Sequence, residues 1–281
     1  MSAVFHYLGP SLAVLLFARV DVLGVAWLRV VSAAVVFAVW RRPWRLFASL
    51  STAQRVVMLW LGVVLAGMNT VFYLAVDRLP LSTVSAIEFL GTVVLAAAGA
   101  RSRRNLAALM ITVGGVAVLT EVSVRGQLLG FVFAFANCAG FMLYVLLAHR
   151  IANTRTANTS IGPPSGGRVS MAGIDQLGAA MLVAAVVITP IGADAARGAF
   201  TDPVLLMAGA GVGICSSVIP YVTDQLAMAR LPRASYALML ALLPAVATVM
   251  GLIVLRQIPT VADLAGIGLV IAGIAIHAPA G

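Results

Sequence analysis

The chain contains no lysine, only nine acidic residues, two cysteines and 10% charged residues in all across 281 positions. So little charge leaves too little polar surface to wrap a water-soluble core. Cys138 and Cys215 both fall inside apolar runs, with no CxxC pair and no histidine at ligand spacing, so they read as small core residues rather than redox or metal groups. No GxSxG, HExxH or Walker sequence occurs, and His6, His149 and His277 all lie near the ends of apolar runs. The sequence offers no constellation for enzymatic chemistry and no cofactor site. Met1 to Tyr7 carries no basic residue ahead of the first apolar run, so a removable signal peptide is not expected.

What is present is apolar: 62% hydrophobic residues and a mean hydropathy of +1.07. One crossing of the hydrocarbon layer takes about 20 residues, so ten crossings use roughly 200 and leave short connectors. Gly, Pro and charge punctuation predicts spans near Ala3 to Ala18, Val22 to Trp40, Val56 to Val76, Leu81 to Gly99 and Asn105 to Thr120. Five more follow near Gln127 to His149, Ile174 to Ala193, Pro203 to Ala229, Ala234 to Leu255 and Val261 to His277. The net charge of +9 sits on arginines in the connectors. They form no basic patch with interleaved aromatics, so they read as topology signals and lipid-headgroup contacts, not as a nucleic-acid surface. Most fall on one side if both termini are cytoplasmic, which the positive-inside rule favours.

The string LAVDRLP (Leu74 to Pro80) returns as LAMARLP (Leu226 to Pro232), with five of seven letters shared. The same offset pairs Asn69 with Tyr221 and Tyr73 with Gln225, and Gly115 answers Gly273 if the second copy carries six extra residues. The predicted fold is an all-α integral membrane protein with ten transmembrane helices in two five-helix repeats, 1–125 and 126–281. Because five is odd, the second copy enters from the opposite face and the repeats are inverted, an arrangement that supplies two similar conformations open to opposite sides. A polar linker at about 150–172, containing Asn153 to Arg168, reads as flexible and cytoplasmic.

Glu88 falls seven residues into the fourth span, roughly 10 Å deep at 1.5 Å per residue. An acid at mid-span costs about 3 kcal/mol on insertion scales, so it is expected to face a cavity or a partner and suits a group that takes up and releases protons. The plainer alternative is a protonated carboxyl bonded to a nearby carbonyl. Asp224 lies nearer the cytoplasmic end of the eighth span and is either a cavity acid or the interfacial partner of Arg230 or Arg233. Asn69 and Tyr73 share one helical face, as do Tyr221 and Gln225, and inverted symmetry would set the two faces opposite each other. They would line a cavity for a polar small molecule with Phe72 and Tyr236 as walls, or else form ordinary interhelical hydrogen bonds. Arg29 either receives a substrate carboxylate or snorkels to the headgroups. Pro220 and Pro244 predict kinks, and GAGVG (Gly209 to Gly213) predicts close helix packing rather than a nucleotide turn.

Several strings are similar to the threonine and homoserine exporter branch of the drug/metabolite transporter superfamily. They are WLRVVSAAVVF with RRPWR (Trp27 to Arg45), LAGMNTVFYLAVDRLPL (Leu65 to Leu81), SAIEFLG (Ser85 to Gly91), and SSVIPY (Ser216 to Tyr221) with ARLP. The resemblance implies ten helices in two inverted repeats and export of small amino acids or related metabolites in exchange for protons. It also implies that Asn69, Tyr73, Glu88, Tyr221 and Asp224 lie near the central cavity. The chain departs from the pattern at Leu243, where an acid is common, at Arg256–Gln257, where a Gly-Glu pair is common, and at Thr92, where proline is usual.

The function expected from these readings is a cytoplasmic-membrane exporter of a small polar metabolite, most readily an amino acid. Its substrate-binding residues are expected to be Asn69, Tyr73, Glu88, Tyr221, Asp224 and Gln225, with Glu88 coupling protons. Efflux of hydrophobic compounds, or a non-transporting scaffold or sensor, are the other readings.

Overall fold

In the computed structural model, described residues are 2–99, 102–123, 127–158, 166–230 and 242–276, and every regular element among them is helical. Helices α1 (Ser2–Leu16), α2 (Val22–Arg41), α3 (Trp44–Ser49), α4 (Thr52–Val76), α5 (Leu81–Gly99) and α6 (Arg103–Ser123) make the first half. Helices α7 (Leu128–Asn158), α8 (Gly166–Ala195), α9 (Arg197–Phe200), α10 (Pro203–Gly213), α11 (Ile219–Arg230), α12 (Leu243–Leu255) and α13 (Val261–Ile276) follow, with a π-helical turn, Ile214–Val218, joining α10 to α11. Val22–Arg41, Thr52–Val76, Leu128–Ala148, Gly173–Ala195 and Pro203–Asp224 are long and apolar enough to cross a bilayer, and shorter apolar helices accompany them.

The helix starts are written in the sequence. Asp21 accepts from Leu23 N at the head of α2, and Asp202 accepts from Val204 N at the head of α10, followed by Pro203. Ser51 and Gln54 form a reciprocal capping box on α4, and Thr260 and Asp263 do the same for α13. Each satisfies amide donors that a helix leaves without partners. α2 and α12 stop at Arg42 and Arg256, which adopt left-handed φ values of 50° and 55°.

Large apolar side chains face outward as well as filling the core, and a small set of polar residues is buried among them. Val39, Met207, Val186 and Ile253 are among the exposed large side chains, whereas Arg29, Asn69, Glu88, Asn137, Ser216 and Ser217 are buried. This is the distribution that hydrocarbon surroundings require, since lipid solvates no polar group.

Close approach depends on small residues. A Cβ on Gly62 of α4 would collide with Val183 and come within 2.9 Å of Ala180 O on α8. A Cβ on Gly213 of α10 would collide with Ser32 and lie 2.5 Å from Arg29 O on α2. α6 and α13 pack along their lengths: a Cβ on Gly115 would come within 2.7 Å of Gly266 O and one on Gly273 within 2.8 Å of Ala108 O, so the two helices run antiparallel. α2 and α8 also run antiparallel: Arg41 pairs with Asp175 at 2.7 Å at one end, while Gly24 abuts the Ala195 carbonyl at the other. Gly209 and Gly213 face α2 as the GAGVG reading expects, whereas Gly211 meets nothing within 4 Å.

Three expectations are adjusted. The polar linker is helical over much of its length, because α7 runs to Asn158 and α8 begins at Gly166; 159–165 lie outside the described residues. Ala-containing turns such as IANTRTAN let the helix continue beyond the apolar stretch. Pro244 stands in the first turn of α12, where its missing N–H costs nothing; the part of the predicted span ahead of it, 231–241, lies outside the described residues. Pro220 follows a π-helical turn that residue patterning gives no sign of.

Candidate substrate cavity

A polar cavity lies between α1, α2, α4, α5, α7 and α11, with about 330 Å³ of empty space when the adjoining open solvent is included. Its charged lining residues are Arg29 and Glu88, its amides Asn69 and Asn137, and its aromatic walls His6, Tyr7, Phe72 and Tyr221, with Pro10 and Met68 completing it.

Arg29 points inward, so the snorkelling alternative does not hold. It is 6% exposed, Nε donates to Ser217 Oγ at 3.0 Å, and a terminal nitrogen donates to Ser216 O at 3.4 Å. The sequence explains this acceptor. Pro220, four residues beyond Ser216, has no N–H to return to that carbonyl, and the π-helical turn presents the two serines to α2. The guanidinium also lies over Tyr73 at 5.2 Å and Phe72 at 5.8 Å from the ring centres. These contacts leave part of its donor fork directed at the cavity it lines.

Glu88 is buried on α5 and shares its face with the buried Ser85, three residues before it. Ser85 Oγ is 2.5 Å from Tyr7 Oη, which ties α5 to α1. Glu88 and Arg29 line the same space yet form no direct ion pair. Two buried opposite charges held apart in this way leave each to be neutralised by something that fits between them.

The other predicted residues divide. Asn69 lines the cavity, its Nδ2 donating to Leu65 O at 2.7 Å, and Tyr221 lines it from the opposing helix. Tyr73 is fully buried beside Arg29, packed edge-on against Phe17, behind the cavity wall instead of in it. Asp224 is half-buried and is not among the lining residues. The Gln225 side chain, the Arg230 side chain, Arg233 and Tyr236 lie outside the described set.

Sequence reading missed His6, Tyr7 and Asn137. His6 reads from the sequence only as a residue near the end of an apolar run, but it lines the cavity and meets Tyr7 and Tyr221 edge to face at 5.3 and 6.3 Å. A signal existed: His6, Tyr7, Pro10 and Ser11 recur at helical spacing in an otherwise apolar α1. Asn137, alone in a long apolar run, offered less. Within the cavity wall, His6 Nδ1 is buried without a hydrogen-bond partner among the described residues, and the Asn137 amide, beside Glu88, makes no hydrogen bond of good geometry. Each such atom costs about 1–3 kcal/mol if left unmet, so this lining suits a polar solute.

Residues 167–278 match the EamA-like transporter family. The chain is 30% identical over 269 residues to the threonine/homoserine exporter RhtA of Escherichia coli (strain K12), covering 94% of this chain and 84% of that protein. It is 29% identical to the threonine/homoserine exporter RhtA of Salmonella typhimurium (strain LT2), covering 89% and 79% respectively. A protein known from a crystal structure aligns over 98% of this chain and 96% of its own with a TM-score of 0.57; at 17% identity this is a likeness of fold alone. The chain therefore belongs to the threonine/homoserine exporter-like, EamA-domain branch of the drug/metabolite transporter superfamily.

Proposed function

We propose that this multi-pass membrane protein exports small polar amino acids, threonine- or homoserine-like, by alternating access coupled to proton entry. The observation that carries the reading is the pair of buried, opposite, unjoined charges, Arg29 and Glu88, lining one cavity. A zwitterionic amino acid would place its carboxylate on Arg29, where the planar fork matches two oxygens, and its ammonium on Glu88. Protonation of Glu88 from the outer side would remove the countercharge and release the substrate, and loss of that proton inward would reset the site. The polar lining favours this over efflux of hydrophobic compounds, for which apolar walls would serve better.

Two inverted five-helix repeats, 1–125 and 126–281, would supply the two access states. The packing supports that arrangement. Adding 151 to Gly62 gives Gly213, and adding it to Arg29 and Ser32 gives Ala180 and Val183, so the contact of Gly62 with the last two is repeated by Gly213 with the first two. The α6–α13 contact is likewise close to its own image, Gly115 with Gly266 and Gly273 with Ala108 at an offset of 158. Both termini would be cytoplasmic by the arginine distribution.

Counterflow in proteoliposomes tests the function. Purified protein should accumulate labelled threonine against an excess of unlabelled threonine or homoserine trapped inside. Absence of exchange for every small amino acid tried would end the reading.

A further inference from the structure

Asn137 is 1% exposed, lines the cavity, and has neither Nδ2 nor Oδ1 in a hydrogen bond of good geometry. It projects from α7 beside the Glu88 carboxyl, which lies within reach of its amide. Asn69, the other amide in the lining, already gives its Nδ2 to Leu65 O. Asn137 thus presents, at a buried position, an acceptor Oδ1 that nothing among the described residues meets and a donor Nδ2 with only a poorly aligned approach to Glu88. A lone buried amide of this kind incurs a desolvation penalty unless a ligand or water meets it.

We propose that Asn137 is the residue that reads the substrate side chain, and that it selects amino acids bearing a hydroxyl on a short side chain. This rests on the exporter reading above, in which Arg29 and Glu88 hold the carboxylate and ammonium. With those two groups fixed, the remaining substituent of the α-carbon is directed past Glu88 toward the neighbouring amide. A hydroxyl both donates and accepts, so it can engage Nδ2, Oδ1 or both through one bridging water. One amide able to use either atom tolerates a hydroxyl on the β- or the γ-carbon. An alkyl side chain instead strands both atoms, and a site built to bond a substrate hydroxyl discriminates strongly against the analogue without one.

The two hydroxy acids share one deoxy analogue, 2-aminobutyrate, which keeps the carbon count and the charges and lacks only the oxygen. The test is counterflow of threonine, homoserine and 2-aminobutyrate in proteoliposomes of the full chain. The wild type should favour each hydroxy acid over 2-aminobutyrate by about ten- to a hundred-fold, the worth of one such bonded pair. In Asn137→Leu, close in volume and without hydrogen-bonding atoms, that ratio should fall toward one whatever the absolute rates. Asn137→Ala serves the same purpose if leucine does not fit, and exchange of 2-aminobutyrate by either variant reports that it has folded. A wild type without preference, or an Asn137→Ala protein that keeps the preference, overturns the assignment of Asn137 and leaves the exporter reading standing. A wild type that exchanges no amino acid at all overturns both.

Discussion

Arg29 Nε donates to Ser217 Oγ at 3.0 Å, joining residues 188 positions apart in the chain, and the adjoining Ser216 carbonyl takes a second bond from the same guanidinium. The cation is therefore held from behind by the second half of the protein while its remaining donors face the cavity. An anchor of this kind has a fixed direction, which a flexible ammonium on the same stem would lack.

Arg29→Lys should keep the charge and lose the stacking on Tyr73 and the fork geometry. Threonine exchange should drop by about tenfold or more, as expected when a bidentate carboxylate contact is lost. The drop should be smaller for threonine amide, which has no carboxylate to misplace. Equal losses for the two compounds would show that Arg29 does not meet the carboxyl group.

Glu88→Gln preserves shape and removes the exchangeable proton. Efflux from loaded vesicles should lose its dependence on an imposed proton gradient, with any remaining counterflow insensitive to pH. A variant whose transport still follows the gradient would remove Glu88 from the coupling.

Gly213→Ala and Gly211→Ala form a matched pair. The first puts a methyl into Ser32 and the Arg29 carbonyl and should cost about 1–3 kcal/mol, the range for overpacking, seen as a lowered Tm in detergent. The second meets nothing within 4 Å and should be neutral or stabilising by up to about 1 kcal/mol through helix propensity. The reverse order would contradict the α2–α10 packing.

Arg41→Gln and Asp175→Asn should each destabilise modestly. The pair is only 21% and 30% exposed, so a double-mutant cycle should return a coupling near the upper part of the 0.2–1 kcal/mol range, about 0.5 kcal/mol or more, weakened by added salt. A coupling of zero in low salt would mean that the two side chains do not hold α2 to α8.

Helix positions were largely legible because apolar length, Asp21, Ser51 and Asp202 mark them directly. Glu88 and Asn69 were legible as well, since an isolated acid or amide in an apolar run must find a polar neighbour. Arg29 was only half legible: depth alone does not say whether an arginine turns toward lipid headgroups or inward, and the deciding feature is the π-helical turn on a helix nearly 190 positions away. His6 was hidden by its place near the end of an apolar run, where a histidine is ordinarily taken to meet the headgroups rather than a cavity. Asp175 escaped notice at the edge of its span, although its pairing with Arg41 closes one end of the α2–α8 contact. The short helices Trp44–Ser49 and Arg197–Phe200 were unreadable for a different reason, being too brief to show a period.

The two ends of the α2–α8 contact are clasped by different forces, one by a charge pair and the other by backbone lying against backbone at Gly24. Electrolyte weakens the first and leaves dispersion untouched. Added salt should therefore loosen the Arg41–Asp175 end of this contact first, leaving the two helices hinged on the close backbone approach at Gly24.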